Sequence, residues 1–218
     1  MISRRELILA SAAATLPAVS IASSGTFTEG KDYTIVRPPV DYPRRPVHVH
    51  VFFAYTCPHC LRFEPELSEF VQSWSSMREV RIIPVPVAWS EIYEIFPKMY
   101  YAFESLGPAV IDKYHMPFWE WVIKEQHDTW NDAQSTEKDL IAWAVRQGLS
   151  EREFKKTLSS FSVSNKVRLA SQTWRNYGVD ATPNIGIAGK YLTAPHMAGS
   201  RKRAIRCAEY LIKKELGS

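Results

Sequence analysis

Two of the chain's three cysteines stand three residues apart, in Cys57-Pro58-His59-Cys60. Only a thiolate attacks a disulfide or binds a metal, so the chemistry open to the pair depends on what lowers one sulfur below its usual pKa of about 8.5. If the tetrapeptide opens a helix, Cys57 meets the unpaired N–H groups and the positive dipole end of that helix, while Cys60 lies one turn deeper. Thiol–disulfide exchange then follows, with Cys57 as the attacking and attacked sulfur and Cys60 as the resolving one. His59 can hydrogen-bond to the thiolate or, when charged, attract it; the plainer reading makes it a solvated helix-cap residue. The same cysteines could instead be half of a structural zinc site completed by His48 and His50. That would need a strand to curl back toward the helix start, and histidines two residues apart more often mark a polar strand face. The third cysteine, Cys207, falls at the edge of the apolar stripe Ala204, Ala208, Leu211 and Ile212 and reads as a half-buried spare thiol.

The elements that must hold these residues are legible from periodicity. Val47, Val49, Val51 and Phe53 recur at period two, with His48, His50 and Phe52 on the other face, which predicts a strand ending just before the cysteines. A helix is predicted over about Cys57–Ser73, with Phe63, Leu67, Phe70 and Val71 on one side and Pro65 kinking it near Leu61. Val80–Val87 is a second β-rich run, so the three make a βαβ unit, parallel and right-handed. The period then turns helical, with helices predicted at Pro97–Leu106, Ala109–Lys124, Glu137–Gln147 and Glu151–Leu158, the last with a Ser150/Glu153 capping box. A further helix, Asn165–Tyr177, stops at Gly178. Asn184–Ile187 and Lys190–Thr193 read as a hairpin around Ala188-Gly189, and Ser200 caps a final helix over Arg201–Leu216. Trp119, Trp121, Trp130 and Trp143 read as core of the helical block, with a few of them candidates to line an apolar peptide groove. Arg201, Lys202, Arg203 and Arg206 crowd a helix start, where cations oppose the dipole. They read as a solvated face, with a contact to an anionic membrane surface or an acidic partner as the sharper alternative.

The 218 residues are 45% hydrophobic and 23% charged, close to the globular average, which excludes disordered and fibrous classes. A net charge of +4 is too mild for a nucleic-acid binder without a concentrated patch, and three cysteines exclude a disulfide-stapled mini-domain. No flavin, nucleotide or metal motif is visible, so no cofactor is expected. At the N-terminus, Arg4 and Arg5 precede an apolar stretch, Leu7–Ala22, which Ser11, Thr15, Pro17 and Ser20 make too short and too dilute to span a bilayer. Ser20-Ile21-Ala22 ends in a small-x-small pattern, so residues 1–22 read as a signal peptide. Ser3-Arg4-Arg5-Glu6-Leu7-Ile8 also resembles a twin-arginine export signal, against an ordinary signal with two arginines by chance. Either route places the cysteines in an oxidising compartment.

Phe52-Phe53, Cys57-Pro58-His59-Cys60 with Phe63-Glu64-Pro65, Thr182-Pro183, and Gly189-Lys190-Tyr191 leading to Met197-Ala198-Gly199 together resemble the DsbA family of the thioredoxin superfamily, over roughly residues 26–216. The resemblance implies an α/β, thioredoxin-like fold (βαβ, then α-β-β-α) with an inserted helical domain. Its parts would be a signal peptide at 1–22, a first thioredoxin-like part at 26–88, the helical insertion at 89–163 and a second part at 164–218. It implies a periplasmic, monomeric oxidoreductase that donates the Cys57–Cys60 disulfide to reduced exported proteins and is reoxidised by a DsbB-type membrane quinone reductase. Catalysis would rest on Cys57, Pro58, His59 and Cys60. Pro183, which alone reads as an ordinary trans turn, would be a cis-proline facing the disulfide, and the Thr182 backbone would pair with an extended substrate. Rival readings are a reductase or isomerase of the same fold, and a redox-inert chaperone or zinc module. Isomerases of the superfamily usually carry a separate dimerisation domain, for which the residues before Val47 leave no room. One departure stands out. The family usually places a buried Glu six residues before the first cysteine, paired with a Lys on the next strand; here that position is Val51, and Ile82-Ile83-Pro84-Val85 holds no Lys. Replacing a buried ion pair by packed apolar residues is often neutral or stabilising, so the joint loss is coherent.

Overall fold

The computed structural model describes residues 26–125 and 132–217, so the expected signal peptide and Trp130 lie outside the described residues. Within them, strands β1 (Tyr33–Ile35), β2 (Val47–Phe53), β3 (Val80–Pro86), β4 (Asn184–Ile187) and β5 (Tyr191–Thr193) form one mixed sheet in the order β1-β5-β4-β2-β3. Helix α1 (Pro58–Trp74) carries the chain from β2 to a parallel β3, with Val51 opposite Pro84 and Phe53 opposite Pro86. On its other side β2 meets β4 antiparallel, Val51 opposite Ile185. The hairpin brings β5 beside β4, and β1 closes that edge against β5.

Between β3 and β4 run a 3₁₀ turn (Glu91–Glu94) and helices α2 (Ile95–Ser105), α3 (Pro108–Lys124), α4 (Ala133–Arg146), α5 (Glu151–Leu158) and α6 (Phe161–Asn176); α7 (Pro195–Ala198) and α8 (Arg201–Leu216) follow β5. The predicted order βαβ, helical block, α-β-β-α is observed, with two unpredicted additions, β1 ahead of it and the short α7 before α8. Helix starts differ where a cap was overlooked. Asp132 accepts the Ser135 N–H at 2.8 Å and starts α4 four residues early, and Ser160 accepts the Val163 N–H at 3.2 Å and starts α6 at Phe161 instead of Asn165. Pro97 falls inside the first turn of α2, where a proline's missing donor has no partner to lose.

Two apolar clusters cover the sheet. Val47, Val49, Val51, Ile185 and Ile187 pack with Phe63, Leu67 and Phe70 of α1 and Ala204, Ala208 and Leu211 of α8. Phe52 and Phe53 pack with Trp174, Tyr177 and the helical block, where Trp119 and Trp143 are buried core and Trp121 is half-buried against it. The second face of β2 is therefore not the polar face that its histidines suggest. His50 is only 4% exposed, and its Nδ1 lies 3.1 Å from the hydroxyl of Tyr177, which accepts the Gly189 N–H at 2.8 Å. Burial, with His48 adding to it, pushes His50 down to about 3, so its ring is neutral.

The segment before β1 also changes the reading of α8. Asp32, 1% exposed, accepts Arg203 Nε at 2.5 Å and the Thr28 N–H at 2.9 Å. Arg203 is thus paired rather than solvated, and Arg201 Nε lies 3.2 Å from Glu66 of α1. Cys207 is fully buried beneath this segment, not half-buried, and burial pushes its thiol up to about 11.

Candidate active site

Strand β2 delivers the chain to Cys57, which caps α1 in an extended conformation while Pro58 takes the first helical position. The Cys57 sulfur accepts the Cys60 N–H at 3.2 Å, the bond that a serine or aspartate cap usually makes. Both thiols are free; Cys57 is half-buried and Cys60 is 2% exposed. From just before β4, Thr182 brings its carbonyl 3.4 Å from Cys57 Sγ, within reach of the thiol proton when Cys57 is protonated. The Thr182–Pro183 peptide is cis and Pro183 is buried. The structure thus gathers Cys57, Cys60, Thr182 and Pro183 at one end of the sheet. His59 is exposed beside them, and its Nδ1 lies 3.1 Å from Arg62 Nη2. A guanidinium only donates, so Nδ1 is the acceptor of this bond.

The two sulfurs are driven apart electrically. A hydrogen bond from the Cys60 thiol, then the Thr182 side chain and the N–H groups of Cys60 and His59, bring Cys57 down to about 6 against the opposing pull of burial. Burial, and then the adjacent Cys57 sulfur, push Cys60 up. At neutral pH the site therefore holds a Cys57 thiolate over a Cys60 thiol. His59 contributes through its backbone N–H, whereas its ring is engaged by Arg62.

Sequence reasoning did not single out the residues just behind the thiols. Tyr55, 1% exposed, sets its hydroxyl 2.7 Å from Nδ1 of His115 on α3, amid the rings of Phe53, Tyr100 and Trp119. Burial pushes His115 down to about 4. The available signal was one hydroxyl in an apolar run before the cysteines. Glu64 accepts the Ser68 hydroxyl at 2.8 Å, and partial burial raises its carboxyl. Val51 is 4% exposed among apolar neighbours, in line with the joint loss of the ion pair. His48 and His50 turn to Tyr42, and His50 also to Tyr177; among the described residues no group of three or more His, Cys, Asp or Glu is placed to hold a metal ion.

A family model described as thioredoxin matches residues 43–206. Among curated proteins, the thiol:disulfide interchange protein DsbA of Bordetella parapertussis is 29% identical over 192 residues, covering 87% of each chain. The protein of the same name from Pseudomonas aeruginosa is 26% identical over 195 residues, covering 89% of this chain and 88% of its own. Among solved structures, a crystal structure of Pseudomonas aeruginosa DsbA at 25% identity gives a TM-score of 0.70, covering 88% of this chain and 95% of its own. The oxidoreductase DsbA from Xylella fastidiosa, 22% identical, gives 0.71 over 88% of this chain and 98% of its own, a likeness of fold alone.

Proposed function

We infer the function from the premise that the chain belongs to the DsbA family of the thioredoxin superfamily and is a thiol:disulfide oxidoreductase. Its oxidised form donates the Cys57–Cys60 disulfide to reduced exported proteins. A substrate thiolate attacks Cys57 Sγ, the more accessible sulfur, and the Cys57–Cys60 bond breaks with its electron pair leaving on Cys60, which takes up a proton. A second substrate thiolate then attacks the substrate sulfur of the mixed disulfide and expels Cys57 as a thiolate. The substrate leaves with a disulfide, having given two electrons to the enzyme. The observation that carries this reading is the separation of the two sulfurs, Cys57 at about 6 and Cys60 pushed up. A stabilised thiolate stabilises the reduced enzyme, which makes its disulfide an oxidant.

Thr182 supports this role by presenting backbone beside Cys57, where an extended substrate would add as a strand next to Pro183. Reoxidation falls to a DsbB-type membrane quinone reductase, and the protein works as a monomer in the periplasm after residues 1–22 are removed, with twin-arginine export as the route. No helix of the described residues is long and apolar enough to cross a membrane. The working unit comprises a thioredoxin-like part at 26–88, a helical insertion at 89–163 and a second thioredoxin-like part at 164–218. The test pairs oxidative refolding of a reduced substrate with insulin reduction, with zinc content measured on the same sample. Recovery of refolding activity by the oxidised protein is expected. Insulin reduction without refolding would make it a reductase, and stoichiometric zinc would make the thiols ligands.

A further inference from the structure

Arg62 lies five residues after Cys57, exposed on the helix that Cys57 caps. Its guanidinium reaches back to His59, so a permanent positive charge is held at the rim of the thiol pair. The Arg62 carbonyl is in turn held by the guanidinium of Arg201, whose Nε pairs with Glu66, and this fastens the first turn of α8 beside Arg62. Lys202 and Arg206 stand one turn apart on α8, exposed and without an ion pair among the described residues. Part of the opposing charge is already committed. Glu66 is taken by Arg201 and Asp32 by Arg203, Glu64 is half-buried and accepts the Ser68 hydroxyl, and Asp180 stands exposed two residues before Thr182. Glu69 lies two turns beyond Arg62 on α1, and Glu209 one turn beyond Arg206 on α8. Cations at a helix start oppose its dipole, so helix stability does not account for the rim.

Resting on the oxidase reading above, we propose that this basic rim selects reduced polypeptide segments that carry acidic residues beside the reacting cysteine. Carboxylates next to a cysteine disfavour its thiolate, so such segments are intrinsically slow to attack a disulfide. Fixed cations at the rim offset that repulsion in the encounter complex and raise the rate of encounter, in a manner that salt screens.

The test uses the full oxidised protein and three dithiol peptides that differ only in having acidic, serine or lysine flanks. Each peptide becomes a disulfide as two electrons pass to Cys57–Cys60, and each rate is normalised to that peptide's reaction with the uncharged hydroxyethyl disulfide. The acidic peptide is expected to lead the lysine peptide by about threefold or more at low salt, since one exposed charge pair is worth roughly 1.4- to 5-fold. The ratio should fall toward one at about 1 M salt, where the screening length is about 3 Å. It should also fall in Arg62→Gln, and in Lys202→Gln/Arg206→Gln, which leaves the Arg62 contacts in place; Lys155→Gln on α5 should keep it. A ratio indifferent to salt or to both rim variants overturns the proposal. So does binding to anionic phospholipid vesicles that the rim variants abolish while the peptide ratio stays the same, which would assign the rim to a membrane surface. Failure to oxidise even the serine peptide would remove the oxidase reading itself, and this preference with it.

Discussion

Cys57 and Cys60 are identical side chains one helical turn apart, and every difference between them comes from what each touches. Cys57 receives donors from Cys60, Thr182 and the first helical N–H groups, while Cys60 is surrounded by apolar side chains. Thiolate absorbance should therefore titrate with a midpoint near 6, and Thr182→Val, which deletes one donor, should raise it; a midpoint at the usual thiol value would contradict the electrostatic account. The same depression fixes a sign. A group whose folded pKa is lowered adds stability that is present above its unfolded value, near 8.5, and lost as pH falls through about 6. Stability of the reduced form should thus rise relative to the oxidised form between about pH 6 and 8, a difference that paired denaturant melts measure. Above that range the raised Cys60 works the other way, since its share is lost as pH climbs. Val51 makes a sharper residue-scale test. A carboxylate there would be buried without a cation, a situation worth about 3–5 kcal/mol of stability. Val51→Glu should therefore lower the melting temperature by roughly 6–20 °C, whereas an unchanged melt would mean the strand exposes that position.

The start of α8 shows how an element takes its meaning from a distant one. Its arginines read as a solvated cluster until the segment before β1 brings Asp32 under Arg203 and α1 brings Glu66 under Arg201. The Arg203 hydrogen bond holds the Asp32 carboxyl below its usual range, so this contact stabilises the fold above the unfolded value of about 3.9 and is lost as pH falls below it. Asp32→Asn should lower stability at pH 7 and lower it by less at pH 3, the gap between wild type and variant melts narrowing as pH falls below about 3.9. Equal destabilisation at both pH values would point to packing rather than charge. The same comparison shows where sequence reading reaches its limit. β2, α5, β4 and α8 were legible to the residue because periodicity and a capping or turn residue agree there. β1 was not, since three residues at an edge carry too little pattern, although Tyr33-Thr34-Ile35 is β-prone in composition. The site divides similarly. Cys57 and Cys60 announce themselves by spacing, whereas Arg62 and His115 matter only through neighbours that the chain brings together from elsewhere.

Across the whole molecule, buried neutral histidines sit at two separate joints. His50 lies between β2 and Tyr177 at the end of α6, and His115 joins α3 to Tyr55 just after β2. Burial depresses both, to about 3 and about 4. An unfolded histidine binds its proton near 6.5, so each contributes stability that is complete above that value and lost as pH falls toward the folded one. Near pH 5 the unfolded chain then holds almost two more protons than the fold at these positions, and stability should drop by about 2.5 kcal/mol per pH unit. The sheet and the helical block should fail together rather than in sequence, because Phe53 and Tyr55 pack directly against Trp119 and His115 of α3. Urea melts from pH 7 to 4, followed by both far-ultraviolet and tryptophan signals, read slope and cooperativity at once. His115→Gln separates the proton from the contact. Losing the Tyr55 partner should lower stability at pH 7, while removing one titrating group should roughly halve the slope. If the variant is destabilised yet keeps the full slope, His115 is not the group that takes up the proton, and the acid sensitivity lies with His50 and the carboxylates.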